Sequence, residues 1–166
     1  GGGLVDGVDG RARAGDSRSG RRGQEGDGIG DLGFTCPWHQ VSAGIAAGRT
    51  AVFFGRNNWS GNYSVEDADV QILGSFDDTY SGQALLGAVD MNGDGYDEIV
   101  IGSPSYSEGS GRIGVAFGRA TASWPATMVL GYLDRVYQAN LLQVQGWGTS
   151  LSAVTWTEMP GAISLW

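Results

Sequence analysis

The chain has no lysine. All ten basic residues among its 166 are arginine, they face 18 acidic ones, and the formal net charge is −8. Contacts to phosphate are made by Lys and Arg, so a chain this acidic is a poor match for nucleic acid. From residue 23 onward the imbalance sharpens to 15 acidic and five basic side chains. One cysteine, Cys36, excludes an internal disulfide. One histidine, His39, has no partner at triad or metal-ligand spacing and reads as a polar loop residue. No apolar run is long enough for a membrane-spanning helix, so direct membrane insertion is not expected. An initiating methionine and a signal peptide are also missing, which reads as a fragment of a larger protein. No segment carries a helical apolar period.

What the chain does have is glycine, 30 residues of it, with only 17% charged residues, as expected for short strands joined by tight turns. Asp90-Met91-Asn92-Gly93-Asp94-Gly95-Tyr96-Asp97-Glu98 places oxygen side chains at alternate positions of a glycine-broken loop. A flexible loop of this kind suits Ca²⁺, which takes six to eight oxygen ligands. The expected ligands are Asp90, Asn92, Asp94, the backbone carbonyl of Tyr96, and Glu98, at positions 1, 3, 5, 7 and 9 of the loop. An EF-hand begins in the same way but needs Glu at position 12, where this chain has Ile101. Ile99-Val100-Ile101 is β-branched and stops at Gly102-Ser103-Pro104, so the loop is expected to lie in a β-hairpin.

A second copy makes the motif part of an architecture. Asp31-Leu32-Gly33-Phe34-Thr35-Cys36-Pro37 aligns with Glu98 to Pro104, and Ala51 to Arg56 aligns with Gly114 to Arg119. Val70-Gln71-Ile72-Leu73-Gly74 is matched to Leu142-Gln143-Val144-Gln145-Gly146. Ordered self-similarity of this length marks a repeat fold, and about four short strands per unit suits a propeller blade. Cys36 stands where its partner is Ser103, so it reads as a buried space-filler.

The loop with Gly102-Ser103-Pro104 after it, the Phe117-Gly118 pair, and their partners Cys36-Pro37 and Phe54-Gly55 resemble the FG-GAP repeat of integrin α-subunit β-propellers and of bacterial secreted or surface proteins. The resemblance implies an all-β fold of propeller blades, calcium held in the loop between two strands, and recognition rather than catalysis. Position 9 of that family's loop is usually Asp, one methylene shorter than Glu98. In the first copy Glu25, Asp27, Ile29 and Asp31 occupy positions 3, 5, 7 and 9, but position 1 is Gly23, so a weaker second site is expected there, with Ile29 contributing its carbonyl. Thr155 to Gly161 supplies no such ladder in the third copy, and no metal is assigned there.

The expected organisation is a disordered or non-native Gly/Arg-rich tail over 1–22, a first blade over 23–74, a second over 75–146, and a truncated third over 147–166. The strand due before the first loop looks missing. Trp59, Tyr63, Trp124 and Trp147 fall near loops, where a propeller presents a binding face to a protein or glycan ligand, and Asn58-Trp59-Ser60 and Asn62-Tyr63-Ser64 match the glycosylation sequon. The function expected is a calcium-binding extracellular recognition or adhesion module, secreted or at the cell surface, that needs the remaining blades of its polypeptide and has no catalytic activity of its own. The alternative is a non-catalytic accessory domain of a secreted hydrolase or lyase.

Overall fold

The computed structural model describes residues 4–6, 13–18, 23–42, 45–75, 80–146 and 149–158. In chain order the strands are β1 (Leu4–Asp6), β2 (Arg13–Arg18), β3 (Leu32–Cys36), β4 (Gln40–Ser42), β5 (Ile45–Ala46), β6 (Arg49–Phe53), β7 (Asn62–Ser64), β8 (Val70–Leu73), β9 (Ala84–Val89), β10 (Glu98–Ser103), β11 (Arg112–Ala116), β12 (Thr127–Val129), β13 (Arg135–Gly146) and β14 (Thr149–Glu158). One helical turn, α1 (Tyr106–Gly109), and three 3-10 turns at Val65–Asp67, Thr121–Ser123 and Leu130–Tyr132 complete the set. Two five-stranded sheets dominate, in the order β12-β8-β6-β3-β2 and β14-β13-β11-β10-β9.

Four strands of each sheet correspond one to one. β2, β3, β6 and β8 repeat as β9, β10, β11 and β13, antiparallel throughout. Arg49 faces Leu73 and Val52 faces Val70 in the first sheet, as Arg112 faces Gln138 and Val115 faces Arg135 in the second. The outer strand of the second unit therefore begins at Arg135, and Val70–Leu73 corresponds to 135–138. The sequence match of Val70–Gly74 to Leu142–Gly146 was misplaced, because similar apolar alternation recurs further along the same long strand.

Sheet packing follows from the alternation of side chains across each strand. Val52, Phe54, Val70 and Ile72 of the first unit form one buried cluster with Ile99, Ile101, Ala116 and Val136 of the second sheet, Leu130 and Leu133 at the 3-10 turn before β13, and Trp124. The opposite face of the first sheet carries Phe53, Ala51 and Cys36, covered by Val65, Trp59 and Tyr63. Cys36 and Ser103, equivalent in the repeat, are both buried. Trp59 and Tyr63 pack on Phe53 with ring centroids 6.3 and 6.2 Å away, and Trp124 lies 6.0 Å from Phe54, so these three serve the packing of the units. Trp147 lies outside the described residues. Asn58 and Asn62 are exposed.

The units are also laced together. β12 belongs to the second unit in sequence yet pairs in parallel with β8 of the first sheet. Its counterpart β7 pairs in parallel with β1. Disorder was expected over 1–22, but Leu4–Asp6 and Arg13–Arg18 are strands, and β2 takes the place before the first loop where a strand looked missing. Composition could not reveal this, because what places β1 and β2 is backbone pairing with strands distant in sequence. The rest of 1–22 lies outside the described residues. Over 149–158 the chain forms β14, which runs back along β13 from Gly146↔Thr149 to Tyr137↔Glu158 as the fifth strand of the second sheet, where the start of a third blade was expected. A two-residue connection between alternating runs favours such a hairpin.

Candidate metal centre

The loop between β9 and β10 is drawn in by its own acidic side chains. Asp90 accepts the N–H groups of Gly93 (2.7 Å), Asp94 (3.1 Å) and Gly95 (3.0 Å). Asp94 accepts the Tyr96 N–H at 2.9 Å. Asn92 accepts the Asp94 N–H at 2.8 Å, and its amide donates to the Asp94 carboxylate at 3.0 Å. Gly93 and Gly95 take φ of 81° and 98°, the left-handed values this curl requires. The result is that one carboxylate oxygen from each of Asp90, Asp94 and Glu98 lies within 4.8 Å of the others. Of the five residues expected as ligands, these three are brought together. Asn92 sits beside them on Asp94, and Tyr96 is in the same curl.

Glu98 is the innermost of the group, 1% exposed at the start of β10. Its Oε2 accepts the Met91 N–H and the Gly118 N–H also points at the carboxylate, while Oε1 is buried with no hydrogen-bond partner. Burial pushes the Glu98 carboxyl above its ordinary range; the two N–H donors oppose this, and the charges of Asp94 and Asp90 add to it. A buried acceptor left unmatched costs about 1–3 kcal/mol or more when charged. A cation between Asp90, Asp94 and Glu98 answers both the repulsion and the orphaned oxygen, so the donor set fits a hard divalent ion.

The first loop keeps the frame and alters the contents. Asp31 holds the place of Glu98: its Oδ2 accepts the Gln24 N–H at 2.6 Å and its Oδ1 the Gly55 N–H at 2.7 Å. Asp27 accepts the Ile29 N–H at 2.6 Å, as Asp94 does that of Tyr96. A Cβ at Gly23 would stand 2.8 Å from the Ile29 carbonyl, 3.2 Å from Glu25 Oε2 and 3.4 Å from Asp31 Oδ2, so a side chain at position 1 would run first into the Ile29 carbonyl and then into the neighbouring carboxylates. The Glu25 carboxyl is pushed up to about 8, first by burial, then by its contacts with Asp31 and Asp27. Asp31 is also raised by burial, while the Glu25 contact pulls it down. Both Glu25 carboxylate oxygens are buried without a hydrogen-bond partner, and among the described residues the carboxylates that converge within 4.8 Å are those of Asp90, Asp94 and Glu98, not those of Glu25, Asp27 and Asp31.

A clamp that sequence reasoning missed orients both Phe-Gly pairs. Asp134 Oδ2 accepts the Phe117 N–H at 2.7 Å and pairs with Arg119, whose Nε donates to the Phe117 carbonyl at 2.9 Å. Asp69 does the same for Phe54 and Arg56. The recurrence of Phe-Gly-Arg with a later Asp in both units was the available signal. The clamp sets Gly118 against the loop, where a Cβ would be 2.6 Å from the Asp97 carbonyl and 3.0 Å from that of Gln24.

The family model for the FG-GAP repeat matches residues 81–115, which take in β9, the acidic loop, β10, α1 and most of β11. No curated protein matches the chain. Among the described residues no helix is long and apolar enough to cross a membrane. The matched stretch contains Asp90, Asp94 and Glu98 and stops just short of Phe117-Gly118, and the chain is one that carries an FG-GAP repeat on an all-β frame of two stacked, laced sheets.

Proposed function

We propose that this chain is a calcium-stabilised recognition module of the extracellular kind, built from propeller-like units and without a reaction of its own. The observation that carries the reading is Glu98: a carboxylate 1% exposed, one oxygen unpartnered, converging with Asp90 and Asp94. Asp90, Asp94 and Glu98 would hold the ion, with Asn92 and the Tyr96 carbonyl completing its oxygen shell. The role of the ion is structural, since it neutralises carboxylates that the fold presses together between two strands of a sheet. Ca²⁺ is favoured over Mg²⁺ because a flexible multi-carboxylate loop suits the larger ion and Mg²⁺ surrenders water reluctantly. A protein or glycan ligand at the loops is the matching partner, and an extracellular site supplies the calcium. Glu25, Asp27 and Asp31, with the Ile29 carbonyl, form the weaker site, where calcium competes with a proton. Titration calorimetry on the full chain tests the assignment: wild type is expected to bind Ca²⁺ and Asp94→Ala to lose the tighter event. An unchanged isotherm in Asp94→Ala sinks it.

A further inference from the structure

The two acidic loops touch along a closed seam. The Asp97 N–H donates to the Gly23 carbonyl at 3.1 Å, and the Arg119 N–H to the Gln24 carbonyl at 2.9 Å. One residue earlier, the Gly118 N–H points at the Glu98 carboxylate. On the other side, the Gln24 N–H donates to Asp31 at 2.6 Å. A continuous path therefore runs from Glu98 through the Gly118-Arg119 backbone to Gln24 and Asp31, joining the last carboxylate of one loop to the last of the other. The Tyr96 ring lies on Gly26 so closely that a Cβ there would be 2.6 Å from it. Gln24 and Asp97 are 3% and 4% exposed, so water does not readily replace these bonds.

We propose that this seam couples the loops, so that a cation held by Asp90, Asp94 and Glu98 orders residues 23–31 and raises the affinity of the first loop. The inference rests on the calcium reading above. Ordering one loop fixes Tyr96, Asp97 and the Gly118-Arg119 peptide, which are the groups that position Gly23, Gln24 and Gly26. A second ion then meets a loop already arranged, and linkage makes the effect reciprocal. The first loop, lacking a carboxylate at position 1, gains most.

Hydrogen–deuterium exchange on the full chain, in chelator and across a calcium titration, tests this by following residues 23–31 and 90–98 separately. Both segments are expected to gain protection over one calcium range, and Asp94→Ala to lose the gain in both. Gly26→Ala, whose added Cβ would stand 2.6 Å from the Tyr96 ring, is expected to keep the gain at 90–98 while cutting that at 23–31 by at least about fivefold, the lower end of ordinary coupling between sites. Gly26→Asn, which better tolerates the left-handed φ of 78° at this position, provides the same contrast where the alanine variant does not fold. Protection of 90–98 with no response at 23–31 overturns the coupling. If calcium leaves 90–98 unprotected, the calcium reading fails instead, and the chelator arm still decides the seam: exchange at 90–98 equal in wild type and both Gly26 variants overturns it, and faster exchange there in the variants supports it.

Discussion

At the scale of single residues, the chemistry of the site reduces to what stands opposite each carboxylate. Glu25 normally loses its proton near 4.5, and in the folded loop it holds that proton to about 8. The native state thus binds the proton more tightly than the unfolded chain between those values, and its contribution to stability is complete below about 4.5 and disappears as the pH climbs through about 8. Glu98 and Asp31 are displaced in the same direction. In chelator the melting temperature should fall from pH 5 to pH 8; Glu25→Gln should flatten that slope, and calcium at pH 8 should reverse the loss. A cation-free melting temperature that rises over the interval contradicts the assignment. Gly118 is the other decisive residue. Its Cβ-free approach to the Asp97 and Gln24 carbonyls leaves no room for a methyl group, so Gly118→Ala should cost about 1–3 kcal/mol as an overpacked contact and weaken calcium binding by displacing the donor to Glu98. Denaturant melts and calorimetry read the two effects separately.

At the scale of elements, legibility tracks how local the cause is. The hairpin around Asp90–Glu98 was readable because its ligands, its glycines and the β-branched strand after it are contiguous in sequence. The curl is held by bonds spanning two to five residues. Cys36 was readable as a small buried residue through its repeat partner Ser103, and both are buried. β2 was not, since Arg13–Arg18 carries no apolar alternation and its pairing partner β3 is distant in sequence. The outer strand of the second unit was misplaced because Leu142–Val144 imitates Val70–Leu73, while the true equivalence is fixed by Asp69 and Asp134, whose partners stand 15 and 17 residues back along the chain at Phe54 and Phe117. That clamp gives the prediction proper to this scale. Asp134→Ala leaves the Phe117 N–H and Arg119 without their acceptor in a half-buried setting, and should cost about 1–3 kcal/mol. Glu158→Ala breaks only the Arg135 pair, whose side chains are 46% and 55% exposed, and should cost no more than about 1 kcal/mol. Equal losses in denaturant titrations would remove the clamp from the account of stability.

At the scale of the molecule, the two units share one core, and the metal site lies at the mouth of the strand pair that forms its floor. A ligand that binds only the folded state adds about 2.7 kcal/mol at a hundredfold excess over Kd. Chelation should therefore lower the single melting transition of the chain and not merely loosen one loop, and calcium should restore it in a concentration-dependent way. A melting curve indifferent to chelator would make the acidic loop a metal-free turn.

The parallel seating of β12 on β8 gives the chain two different counts of itself. Counted along the polypeptide, the boundary between units falls between β8 and β9; counted along the hydrogen-bonded ladders, it falls one strand later, because Thr127–Val129 completes the sheet before its own. The sequence unit and the finished sheet are therefore out of phase by one strand. Cutting the polypeptide between two such units leaves the first sheet one strand short and carries that strand away with the second. A segment bounded by the sequence repeat is thus never bounded by whole sheets.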